Sequence, residues 1–126
     1  MMPAIYPDTP PPRFPVLDAT EGRALIFDFS ADLAPGETLI SPPSAPLSVY
    51  VTLAMGDSDP APQDIITTPA TIAPGGTAVV LGVGATLGGG GFGCTTDTDY
   101  RIKVTAATSN PLKTVTLVGI LPVRFL

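Results

Sequence analysis

The 126-residue chain has no histidine, no tryptophan and a single cysteine, Cys94. Without histidine it lacks the commonest general base and the commonest transition-metal ligand. A Ser-His-Asp or Cys-His arrangement is impossible, and one cysteine leaves no zinc site within the chain. A lone cysteine also forms no intrachain disulfide, so the fold does not lean on oxidising conditions. Positive charge is scarce: six Lys and Arg face eleven Asp and Glu, for a net charge of −5. A nucleic-acid binder needs cations to neutralise phosphates, so the balance argues against nucleic acid and against an anionic membrane surface. No apolar run approaches the roughly 20 residues of a membrane span. The opening MMPAIYPDTPPP has neither the basic nor the apolar region of a signal peptide. These absences lead to the expectation of a non-catalytic chain without cofactor, made and folded in a cytoplasm.

What is abundant is proline and glycine, sixteen and thirteen residues, alongside Thr and Val. Helix interiors disfavour that mixture, whereas short strands joined by turns accept it. Residues 1–22 are Pro-rich, with Pro10, Pro11 and Pro12 in a row, and favour an extended polyproline-like arm. From Arg23 to Ser30, Leu25, Phe27 and Phe29 alternate with Ile26, Asp28 and Ser30, the period of a half-buried strand. Ala34-Pro35-Gly36-Glu37 is a turn, and Thr38-Leu39-Ile40 a short strand before Pro42 and Pro43. Leu47 to Ala54 alternates with Val49, Val51 and Leu53 inward. Asp64 to Ala73 reads as two β-branched pieces split by Pro69. Thr77 to Val83 places Val79, Leu81 and Val83 on one face. A glycine-rich loop spans 84–99, since consecutive glycines are costly inside a strand. Tyr100 to Thr108 and Lys113 to Ile120 are strands, the latter extending towards Leu126 with a bend at Pro122. The expected fold is therefore all-β, a two-sheet sandwich of immunoglobulin-like type over 23–126, with seven or eight short strands.

Few groups invite chemistry. Cys94 sits among Gly and Thr with no basic neighbour to lower its pKa, and is read as buried or incidental. Gly88 to Gly91 with Gly93 lacks the Gly-Lys-Ser/Thr of a phosphate loop. It reads as a flexible loop or an assembly contact. The pairs Asp57/Asp59 and Asp97/Asp99 could offer oxygens to calcium if two loops converged, but turn residues and solvated charge are the plainer reading. As glycosidase acids they would lack the aromatic platform of a sugar cleft. Asp28 is placed to cap the turn after its strand.

The order of segments carries a resemblance. Glu21-Gly-Arg-Ala-Leu-Ile-Phe-Asp-Phe-Ser-Ala-Asp-Leu-Ala-Pro-Gly-Glu-Thr-Leu opens the domain. Asp97-Thr-Asp-Tyr-Arg-Ile-Lys-Val-Thr-Ala-Ala-Thr-Ser then leads through a turn into Lys113-Thr-Val-Thr-Leu-Val-Gly-Ile-Leu-Pro-Val-Arg. With Asp28, Phe29, Ser30, Leu33, Gly36, Glu37, Tyr100, Ile102, Val104 and Thr108 at the matching positions, this resembles bacteriophage fiber-tail adaptors, small Ig-like tail or neck proteins. The chain departs from them at Phe29, where Trp is frequent, in its long glycine loop, and in the length of its leader.

The resemblance implies a virion structural protein, present as a multicopy ring or homo-oligomer in the assembled particle, that attaches tail fibers or spikes to the tail or neck, with other virion proteins as partners and no enzymatic activity. A capsid decoration or cement protein has the same sequence features, and a non-catalytic surface-binding module is a further alternative. Candidate partner contacts are the apolar residues of segments outside the strands: Ile5, Tyr6, Phe14, Leu87, Phe92 and Phe125.

Overall fold

The computed structural model describes residues 11–43, 46–55, 59–86 and 91–126. It is all-β with two sheets, as the alternation of the sequence implies. In chain order the strands are β1 (Leu17–Asp18), β2 (Gly22–Asp28), β3 (Leu39–Ile40), β4 (Ser48–Met55), β5 (Ile66–Ile72), β6 (Ala78–Gly84), β7 (Thr98–Thr108) and β8 (Thr114–Arg124). Short 3-10 turns precede β3 at Ser30–Asp32 and β5 at Pro62–Ile65. The larger sheet runs β1-β8-β7, and the far edge of β7 is shared by β3 and β4. The smaller sheet runs β2-β6-β5 and is antiparallel throughout.

The alternation read from the sequence places the core. Leu25, Phe27, Val79, Leu81 and Val83 face in from the smaller sheet; Val51, Tyr100, Ile102, Val104, Val115 and Leu121 meet them from the larger. Burying such side chains is the main stabilising term, worth about 1.5–3 kcal/mol for each fully covered Val, Leu, Ile or Phe. The turn before β3 closes with the Glu37 amide donating to the Ala34 carbonyl at 2.9 Å. Gly36, at φ 80°, occupies the one position of that turn where a side chain would be strained.

Two prolines lie inside strands, Pro69 where a break was expected and Pro122 where a bend was. Residues 64–73 do not form two pieces: β5 is a single strand through Pro69. It lies at a sheet edge, and its register with β6 shifts on both sides of Thr68. Edges and bulges are where a missing N–H costs least. β8 likewise runs through Pro122 without ending. The peptide groups of Ile120 and the carbonyl of Arg124 turn away from β7 to bond the N-terminal leader. Strand alternation gives Pro122 the same outward direction, so its absent N–H removes no bond to β7.

A buried polar contact ties the 59–65 connection to β7. The Tyr100 hydroxyl, in a fully buried side chain, donates to Asp59 Oδ2 at 2.6 Å. Asp59 Oδ1 in turn accepts from the Ala61 amide at 2.9 Å. Desolvation first, then the adjoining carboxylate, hold the phenol protonated well above its ordinary range. Cys94, read from the sequence as buried or incidental, is buried beside it. Tyr100→Phe leaves Asp59 buried with one donor fewer. It is expected to lower stability by about 1–3 kcal/mol in urea denaturation. An unchanged midpoint would contradict this role.

Candidate interaction surface

The extended arm expected over 1–22 is part of the sandwich from Pro12 onward. The Ile120 amide donates to the Pro12 carbonyl at 2.9 Å, and the Phe14 amide donates to the Ile120 carbonyl at 2.8 Å. Leu17 and Asp18 then pair in parallel with Val123 and Arg124. Four steps of leader, from Arg13 to Leu17, cover three steps of β8, from Ile120 to Val123, so the leader bulges opposite Pro122. Pro122 has no N–H to give the bulged carbonyls. The Arg23 guanidinium on β2 supplies donors instead, reaching the Pro15 carbonyl at 2.7 Å and the Val16 carbonyl at 3.0 Å. The leader thus joins the edge of one sheet to the edge of the other.

Phe14 is the apolar half of this seal. Its ring meets Phe27 edge-on, with centroids 5.4 Å apart, a pair worth about 0.5–1.5 kcal/mol beyond area burial. It lies over Gly119, where a Cβ would come within 2.6 Å of the ring. Glycine at 119 is what lets the ring settle against β8.

Among the described residues the seal stops at Pro12. Extending the parallel ladder by one more pair would need an N–H at Pro12 for the outward carbonyl of Val118, and proline has none. Among the described residues, the outer edge of β8 from Thr114 to Gly119 pairs with no strand, and neither does the outer edge of β2. Between these edges lies a groove of about 300 Å³, floored by Phe14 and Phe27 and walled by Leu117, Val118 and Ile26. Arg13 and Asp28 stand at its rim.

Two carboxylates hold the ends of the larger sheet. Asp99, 5% exposed, receives Arg13 at 2.6 Å and Arg124 at 2.8 Å. Burial works against its charge, but hydrogen bonds from the two arginines outweigh it and keep the carboxyl below its usual range. At the other end Glu37 accepts from Lys113 at 2.8 Å, from the Ala34 amide at 2.8 Å and from the Thr108 hydroxyl at 2.9 Å. The Lys113 hydrogen bond and the Ala34 amide bring its pKa down to about 2.

The residues chosen from sequence as partner contacts fall in three groups. Ile5, Tyr6 and Leu87 lie outside the described residues. Phe14 and Phe92 do not stand apart from the core, as their segments suggested; Phe14 packs on Phe27 and Phe92 on Tyr100, centroids 5.6 Å apart. Phe125 remains half-exposed. Asp59 and Asp99, read as turn or solvated charge, are instead buried and bonded, while Asp57 lies outside the described residues. Asp97 accepts from the Phe125 amide at 3.0 Å. Asp28 does cap its turn, accepting from the Ser30 amide at 2.9 Å. Among the described residues, no group of three or more acidic or cysteine side chains is placed to hold a metal ion. The sequence reading missed the Arg13–Asp99–Arg124 set. Its available signal was an aspartate directly preceding a strand's first inward aromatic.

Both Asp99 and Glu37 titrate below their ordinary values in the folded chain. Their stabilisation is therefore complete above the unfolded pKa and lost as pH falls through the folded one. The urea midpoint of the wild type is expected to fall from about pH 4.5, the ordinary glutamate value, towards about 2. Asp99→Asn and Glu37→Gln should each flatten that decline; slopes identical to wild type would rule out the linkage. No protein-family model, curated protein or solved structure matches the chain.

Proposed function

We propose that this chain is a non-catalytic structural protein of a bacteriophage particle, an adaptor that attaches fibers or spikes to the tail or neck. The reading has two supports. One is the order of segments shared with fiber-tail adaptors, which also underlies an immunoglobulin-like assignment of the sandwich. The other, which carries it, is the half-sealed seam: a stretch of the β8 edge, unpaired among the described residues, beside an apolar groove. An edge with free peptide groups next to side-chain pockets accepts an extended segment of another chain, the ladder giving affinity and the pockets selectivity. Repeated contacts of this kind around a ring add by avidity.

Capsid decoration is the second reading, favoured by the same acidity and sandwich fold. Copy number separates them. Quantitative mass spectrometry of particles produced with this chain should find about six or twelve copies for a tail or neck ring. Hundreds of copies would favour decoration, and absence from particles would overturn both readings. The seam has its own variant. Val118→Pro removes an outward N–H at the same strand parity as Pro122, without a bond to β7. It is expected to leave the isolated chain folded and to reduce its incorporation into particles. Normal incorporation would remove the open edge from the attachment mechanism.

A further inference from the structure

Four of the six cations are engaged within the chain. Arg13 and Arg124 hold Asp99, Lys113 holds Glu37, and Arg23 binds leader carbonyls. Of the cationic side chains, all within the described residues, only those of Arg101 and Lys103 have no hydrogen-bonded or ion-pair partner. Both are exposed on β7 and face out from the larger sheet. Lys103 stands in a row between Tyr50 and Val118, and Arg101 between Thr52 and Ile120. Tyr50 is 62% exposed. Towards the β7–β8 hairpin the next row is Ser48, Thr105 and Thr116, so no carboxylate faces out there.

The smaller sheet presents the opposite chemistry on the other side of the sandwich. Its outward residues are Ala24, Ile26 and Asp28 from β2, Ala78, Val80 and Gly82 from β6, and Thr68 and Thr71 beside them on β5. No cation stands among them: Arg23 has the strand parity of inward Leu25 and Phe27, and its guanidinium reaches the leader carbonyls at the sheet edge. Ile26 is 60% exposed. Asp28 carries its charge at the end of this face, and exposed Asp32, whose backbone carbonyl accepts from Lys113 at 2.6 Å, follows it in the 3-10 turn. Setting aside Arg101 and Lys103, the chain's net −5 becomes −7, so a further copy of the chain brings the charge these two cations lack.

We propose that copies of this chain associate head to tail, the face of the smaller sheet of one copy docking on the outer face of the larger sheet of the next. Asp28, with Asp32, meets Arg101 and Lys103, and Ile26 and Val80 meet Tyr50 and Val118. The two faces lie on opposite sides of one sandwich. Each copy therefore keeps one free face of each kind, and the contact propagates into a ring or a filament. This goes beyond the adaptor reading and does not depend on it: a chain absent from phage particles could still associate, and a particle component could be monomeric in isolation.

Sedimentation velocity of the full chain over a hundredfold concentration range tests it. At low salt, species larger than monomer should grow with concentration, and a tenfold rise in salt should shift them back towards monomer, as screening of exposed charges requires. The double variant R101E/K103E should sediment as monomer, and so should D28K. Mixed in equal amounts, they should associate, because the native patch of D28K meets the native Asp28 of R101E/K103E. Asp28→Asn retains an oxygen for the Ser30 amide and removes the charge, and should weaken association at least tenfold without altering the melting profile. A wild type that is monomeric at every concentration would overturn the proposal. So would association insensitive to salt, variants that associate like wild type, or a mixture that stays monomeric.

Discussion

Every second peptide group of β8 turns away from β7, and what those groups meet governs this side of the molecule. Between Ile120 and Arg124 they meet the leader, which bonds at Pro12, Phe14 and Ala19 and closes the gap between the two sheets. Prolines set both limits of that closure. Pro122 has no outward N–H, so the leader bulges there and borrows donors from Arg23. Pro12 has none to offer Val118, so the ladder ends and the groove begins. One run of backbone parity thus determines where the described leader seals the sandwich and where the β8 edge is left without a described partner.

The scarcity of cations gives the electrostatics their shape. An acidic chain of this size would repel itself if its carboxylates were all solvated. Asp59, Asp99 and Glu37 are instead drawn in and bonded to Tyr100, to two arginines and to Lys113. Each joins segments distant in sequence: the 59–65 connection to β7, the leader to the sheet, and the turn before β3 to the β7–β8 hairpin. Burying a carboxylate is costly unless it is hydrogen-bonded and paired, so these sites favour one arrangement of the strands over others. Among the described cations, Arg101 and Lys103 remain unpaired, a small patch on a molecule otherwise rich in carboxylates.

Strand positions and inward faces were legible in the sequence because period-two alternation is a direct image of a half-buried sheet. Leu25, Phe27, Val79, Leu81, Ile102 and Val104 fall where that pattern puts them. Proline was harder to read. At Pro69 and Pro122 its effect depends on whether the lost N–H faces a partner strand, which is a property of pairing and not of local sequence. The leader was misjudged for the same reason: polyproline composition describes its backbone preference, while Phe14 and Leu17 decide that it packs. Asp59 and Asp99 show the limit for charge, since an Asp-x-Asp pair near a turn looks alike whether solvated or buried. Buried Tyr100 carried the missing clue, because a covered phenol seeks a hydrogen-bond partner.

Residue-resolved amide hydrogen exchange on the monomeric chain tests the half-sealed seam most directly. The account expects the Phe14 and Ile120 amides to exchange slowly, through the leader bonds they make. The Val118 amide, four residues before Pro122 on the same outward row, should exchange fast although it lies within a long strand. Fast exchange at Phe14 and Ile120, or strong protection at Val118, would contradict a leader that seals β8 only as far as Pro12.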